Sequence, residues 1–220
     1  KKYQTSVNNL PITSPYKKKV SKNIDLCRGL LEIENIEVSA LNINQILEKY
    51  ELNEKLDLFS IDIDGIDYWV IEKLKSRISK IFIAEYNPTF GHNLEISVPN
   101  NKNFNRFQAH YSGCYYGASL KAIIKLMQTK GYEFLGTNKL NFNAFFVESE
   151  LSNNFHDVKK NLKSLDYYTT IKVRDSKNKN GEFNFLKRKE RLEQLRDLEV
   201  IDVSQSKNKR YKINDIISSI

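Results

Sequence analysis

The chain has 220 residues, 40% hydrophobic and 11% aromatic, with a net charge of +8, so it can enclose a substantial core and is too apolar for a disordered segment. No apolar run approaches the ~20 residues of a membrane-spanning helix and nothing resembles a secretory signal; the cytoplasm is expected instead from two cysteines that read as reduced thiols. Cys27 and Cys114 match no metal-binding spacing and read as reduced thiols, and the basic residues are dispersed with no nucleic-acid module beside them, which argues for a solvated surface and against a nucleic-acid partner.

In chain order, residues 1–32 are polar, with Pro11, Pro15 and a lysine run at 17–19, and read as a loop, a linker or a frayed truncation end. Residues 33–150 form an α/β domain. The alternation of Ile36 and Val38 predicts a strand over 33–41. Asn42 is then expected to cap a helix that carries Ile43, Ile46, Leu47 and Tyr50 on one face. The central stretch, 56–87, reads as strand, acidic turn, helix and strand. Leu58, Phe59, Ile61 and Ile63 predict a strand buried on both faces of a parallel sheet. Asp62, Asp64 and Asp67 surround Gly65 in the turn, and Asp67 suits the first turn of the next helix. Tyr68, Val70, Ile71 and Leu74 form that helix's stripe, and 81–84 is the second strand.

Asn87-Pro88 stops this strand. A long stretch without periodicity follows over 89–117, with His92, His110, Tyr111 and Tyr116 in it, and loops of that length are often functional. Ser119 caps a helix carrying Leu120, Ile123, Ile124 and Met127, and Gly131 ends it as a left-handed cap. Strands at 132–136 and 144–147 are too close to be anything but antiparallel. Residues 151–220 are more charged and read as an extension packed on the domain, with a helix over 185–199 and short apolar ends at 201–203 and 213–220.

Five motifs occur in order: Ser60-Ile61-Asp62-Ile63-Asp64-Gly65-x-Asp67-Tyr68, Ile83-Ala84-Glu85-Tyr86-Asn87-Pro88, Tyr116-Gly117-Ala118-Ser119-Leu120, Lys130-Gly131-Tyr132 and Asn143-Ala144-Phe145-Phe146-Val147. Together they resemble the FkbM-type family of S-adenosylmethionine-dependent methyltransferases over about residues 36–150. The resemblance implies a Rossmann-like class I methyltransferase sheet, mostly parallel with a closing antiparallel hairpin. It also implies S-adenosylmethionine as cofactor and a hydroxyl of a sugar or small metabolite as methyl acceptor. The family's glycine-rich cofactor loop has no counterpart here, because Gly29 is the only glycine before Gly65 and no G-x-G occurs. The expectation is therefore a chain that begins inside the fold, or a degenerate copy.

In open α/β sheets ligands sit beyond the carboxyl ends of the strands, where Asp62, Asp64, Glu85 and Asn87 fall. These four are the candidate catalytic residues. A carboxylate such as Asp62 or Asp64 would orient or deprotonate the acceptor, and Asp62 and Gly65 would border the cofactor. His110, Tyr111 and Tyr116 are candidates for the acceptor pocket. A metal held by Asp62, Asp64 and a loop histidine has no spacing to fix it, so no metal is assigned. Two other functions fit parts of the sequence. Asp62-Ile63-Asp64 is the D-x-D of a metal-dependent nucleotide-sugar glycosyltransferase, and a fold without its cofactor loop could serve as a non-catalytic binding module.

Overall fold

Asn42 precedes helix α1 (Ile43–Lys49), but its side chain turns away from it. In the computed structural model, which describes residues 35–52, 56–75, 77–158, 176–205 and 208–220, Asn42 Oδ1 accepts from the Ser39 amide at 2.8 Å and the Ser39 hydroxyl at 3.1 Å. This closed turn replaces the expected cap. Residues 35–39 hold no regular structure, so the strand predicted over 33–41 does not form there, and its first two residues lie outside the described ones. The N-terminal segment 1–32, with Cys27, also lies outside them.

Strand β1 (Leu56–Ile61) runs parallel to β2 (Ser79–Glu85) through the short helix α2 (Asp67–Lys73). The register pairs Phe59 with Phe82 and Ile61 with Ala84, which stacks these side chains on one face of the sheet. Helix α2 covers that face with Val70 and Ile71, which join Phe82, Ala84 and Ile61 in one buried cluster. On the other face Leu58 is 54% exposed, and the Ser60 beyond it is exposed too. The expectation of a strand buried on both faces is thus corrected. The described sheet has the order β1-β2-β5-β4, where β4 is Tyr132–Thr137 and β5 is Asn143–Glu148, so β1 is an edge strand and only one of its faces is packed.

Two side chains tie helix α2 to its surroundings. Lys130 Nζ donates to the Glu72 and Leu74 carbonyls at 3.0 and 2.8 Å and satisfies the C-terminal end of α2. The Trp69 indole N–H donates to the Val98 carbonyl at 2.8 Å, tying α2 to the loop region. A four-residue helix α3 (Arg106–Ala109) starts at Asn105, whose side chain accepts from the Phe107 and Gln108 amides. The following helix, α4 (Leu120–Thr129), is capped as expected by Ser119, which accepts from Ala122, and Gly131 after it has φ +82°. Strands β4 (Tyr132–Thr137) and β5 (Asn143–Glu148) are antiparallel to each other, and β5 is antiparallel to β2.

Beyond the 3₁₀ turn at Pro88–Phe90, the two-residue strand β3 (Ile96–Ser97) begins a second, antiparallel sheet. It is completed near the end of the chain by β6 (Glu199–Asp202) and β7 (Lys209–Lys212), in the order β3-β6-β7. Phe90, Ile96, Val98, Leu192, Leu195, Val200 and Ile213 fill a second buried cluster beneath it. The predicted C-terminal extension therefore shares a sheet with the middle of the chain, and Val38–Ile220 is one compact unit. Helix α5 (Arg188–Gln194) is shorter than the expected 185–199, because Phe185 sits at φ +48° and Lys187 is extended. The short helix α6 (Ile213–Ile216) closes the described chain. No helix among the described residues is long and apolar enough to cross a membrane.

Candidate functional site

The site grows out of the parallel pair β1 and β2. Their register ends at Ile61↔Ala84, and one step further, Asp62 and Glu85 leave adjacent strands side by side at the carboxyl ends. Asp64 lies two residues into the turn at φ +55°, a conformation uncommon outside glycine, asparagine and aspartate. Carboxylate oxygens of Asp62, Asp64 and Glu85 all lie within 4.8 Å of one another. Asp62 and Asp64 are exposed and Glu85 is buried. With Asp62 exposed, desolvation is not what marks it as a candidate. Three carboxylates this close repel, and the arrangement favours a cation, an ammonium or a hydroxyl donor among them.

The buried acid of the turn is Asp67, with no exposed surface. Its two oxygens accept from the Ile63 amide at 2.9 Å and the Gly65 amide at 3.1 Å, which folds the turn back on the start of α2. Burial pushes its carboxyl up to about 6, against the opposing pull of those two amides. Gly65 was expected to border a cofactor. Instead a Cβ placed on it would meet the Phe104 ring at 2.6 Å, and its carbonyl accepts from the Gly117 amide at 2.7 Å. Its role in this structure is close packing between the acidic turn and the aromatic loop.

Asn87 was expected to face the same crevice. Its amide nitrogen instead donates to the Cys114 carbonyl at 2.8 Å and the Tyr116 carbonyl at 2.9 Å, and its oxygen accepts from the Thr89 amide at 2.9 Å. With both N–H bonds made internally, Asn87 is a strut that fixes the tyrosine-rich loop against the end of β2. Tyr116 is buried in that loop, while Tyr111 lies beside His110 with ring centroids 4.2 Å apart. His110 Nδ1 and the Ser112 hydroxyl are 2.8 Å apart, and burial pushes the imidazole below its ordinary value.

Arg106 joins the two halves of the site, and nothing in the sequence marked it. Its side chain is 13% exposed and forms an ion pair with Asp64. Its Nε and Nη2 donate to the Gly113 carbonyl at 2.9 and 2.6 Å. Its guanidinium lies 4.2 Å over the Tyr116 ring and 5.4 Å from the Phe107 ring. A planar, permanently charged fork can bond a carbonyl edge-on while its face covers an aromatic ring, and lysine has no equivalent geometry. Arg106 therefore supplies the positive charge beside the acidic trio and pins the loop over it.

The structure thus gathers Asp62, Asp64 and Glu85, connects Tyr116 to them through Arg106, and gives Asn87 and Gly65 structural positions. The residues suited to hold a divalent cation are Asp62, Asp64 and Glu85, with the buried Glu85 in the place where a loop histidine was considered. No protein-family model, curated protein or solved structure matches this chain.

Proposed function

We propose that this chain is the acceptor-side part of an S-adenosylmethionine-dependent methyltransferase of the FkbM type, acting on a hydroxyl of a sugar or small metabolite. One observation carries the reading: Asp62 and Glu85 stand together at the carboxyl ends of parallel neighbours, in a sheet closed by an antiparallel pair. That arrangement supports a Rossmann-like methyltransferase sheet with its crevice at these two residues. Asp62 is exposed at the strand end, where an acceptor hydroxyl can reach it, be oriented by it and pass it a proton. Arg106 keeps Asp64 and the tyrosine-rich loop in register around that position.

The described residues do not by themselves fit the cofactor. The turn amides of Ile63 and Gly65 are bonded to Asp67 and the Phe104 ring covers Gly65, so these amides cannot cradle the cofactor's carboxylate, whereas the exposed Asp62 carboxylate can accept from its ribose hydroxyls or ammonium. The reading requires a backbone cradle from other residues. Calorimetry with S-adenosylmethionine, on this chain and on the full reading frame that contains it, tests the reading. Binding to the reading frame, weakened by Asp62→Ala, is the expected result. Absence of binding to both proteins overturns it.

A second reading, a metal-dependent nucleotide-sugar glycosyltransferase, is favoured by the closeness of the three carboxylates. Manganese titration followed by a nucleotide-diphosphate sugar separates the two, because this reading requires metal before sugar nucleotide and no affinity for S-adenosylmethionine.

A further inference from the structure

Residues 176–186 form a tight hairpin whose outer arm carries two phenylalanines. The Asn178 side chain closes the turn by accepting from the Asn180 and Glu182 amides at 2.9 and 3.0 Å, and Gly181 at the tip has φ +84° with open space around it. Ser176, buried at the base, accepts from the Asn184 amide at 2.7 Å, and the Lys177 amide donates to the Ser112 carbonyl at 3.2 Å. The hairpin is therefore fastened to the body of the protein at its base. Phe183 and Phe185 are two residues apart, and with Phe185 at φ +48° the backbone turns so that their rings lie side by side. Each is 58% exposed, and their centroids are 6.0 Å apart. The Lys177 ammonium lies 5.5 Å over Phe183 and 4.6 Å over Phe107, which is itself 52% exposed. Single exposed apolar side chains are ordinary, whereas contiguous rings on a fastened hairpin mark a contact surface.

The charges select the occupant. Residues 176–190 carry five cationic and two anionic side chains, and Lys179, Lys187 and Lys189, near the rings in sequence, are exposed. A second copy would bring two such cationic patches face to face, which like-charge repulsion opposes. Stacked nucleotide bases need open ring faces, but Phe183 already has Lys177 on one face and Phe185 against it. A bilayer rich in anionic lipid matches both features, because it takes unsubstituted phenyl rings into its acyl boundary and pairs lysines with its headgroups. We propose that this hairpin, with Phe107, docks the protein on the surface of an anionic membrane. The expectation that this chain has no membrane-spanning segment is unaffected, since the contact is peripheral.

Vesicle co-sedimentation tests the proposal. The chain is mixed with vesicles of phosphatidylserine and phosphatidylcholine in equal parts, or of phosphatidylcholine alone. Wild type is expected to pellet with the anionic vesicles and to bind neutral ones at least about tenfold more weakly. Phe183→Ser with Phe185→Ser should weaken anionic binding by about tenfold or more, with the Trp69 fluorescence of the folded protein unchanged. Phe183→Trp should shift its emission to the blue when anionic vesicles are added. The proposal is overturned if wild type does not pellet, if the double serine variant pellets like wild type, or if F183W emission does not move. It is also overturned if the double variant abolishes self-association or oligonucleotide binding in a wild type that ignores vesicles.

Discussion

Asp67 gives the sharpest test of the site's construction. Its carboxyl is fully buried and is held up from 3.8 to about 6, chiefly by loss of water, although two backbone amides stabilise its charge. A folded-state value above the unfolded one means that the folded protein holds the proton more tightly. The resulting stabilisation is complete below pH 3.8 and is lost as pH rises to about 6. Its size over that interval is about 3 kcal/mol. Asp67→Asn cannot titrate, so the stability difference, wild type minus variant, should fall by most of this amount, about 2.5 kcal/mol, between pH 4 and pH 7. The level of the variant is a poorer guide. Asparagine offers one oxygen to two amides, and the lost bond costs about 1–3 kcal/mol, which nearly cancels the relief from burying a charge. Urea unfolding followed by Trp69 fluorescence across this pH range measures the slope. A flat difference, or one that rises with pH, refutes the assignment of burial as the dominant cause.

Other predictions follow from single contacts. Asn87→Ala leaves the buried Cys114 and Tyr116 carbonyls without its two N–H donors, and should cost about 2–3 kcal/mol in chemical denaturation. Arg106→Lys keeps a charge beside Asp64 but loses the fork on Gly113 and the face on Tyr116, so amide exchange over 106–117 should speed up about as much as in Arg106→Ala. Gly131→Ala combines φ +82° with a Cβ 2.9 Å from Arg77 Cδ, and should destabilise the chain by about 1 kcal/mol or more. His110, pushed down by burial, should titrate in a proton NMR series below the value of a free imidazole. Stability linked to it is lost as pH falls.

Much of the first sheet was legible in the sequence, because its signals are local. Ser119 before the Leu120, Ile123 and Met127 stripe, Gly131 after it, and two apolar runs around Gly136 each fix an element within a few residues. The second sheet was not, since β3 has only two residues and its partner lies about a hundred positions later. No periodicity survives in so short a strand. The predicted strand over 33–41 failed for a related reason: alternation at Ile36 and Val38 was outweighed by a side-chain turn at Ser39 and Asn42. At the site, the sequence located the acidic residues but not their environments. Asp67 was read only as a charge in the first turn of the helix, whereas the structure buries it and leaves Asp62 exposed. Burial depends on Phe104 and the tyrosine-rich loop closing over the turn, contacts that span about forty residues. Arg106 escaped because a lone arginine in an aperiodic stretch carries no signal until Asp64, Gly113 and Tyr116 surround it.

The most direct measurement of the account is S-adenosylmethionine binding by calorimetry to the full reading frame containing this chain, compared with its Asp62→Ala variant. One-site binding that the variant weakens by about tenfold, the loss of one charge-assisted contact, is the predicted result. No heat of binding at any cofactor concentration, or binding that Asp62→Ala leaves unchanged, contradicts the assignment of the strand-end carboxylates to a methyltransferase crevice.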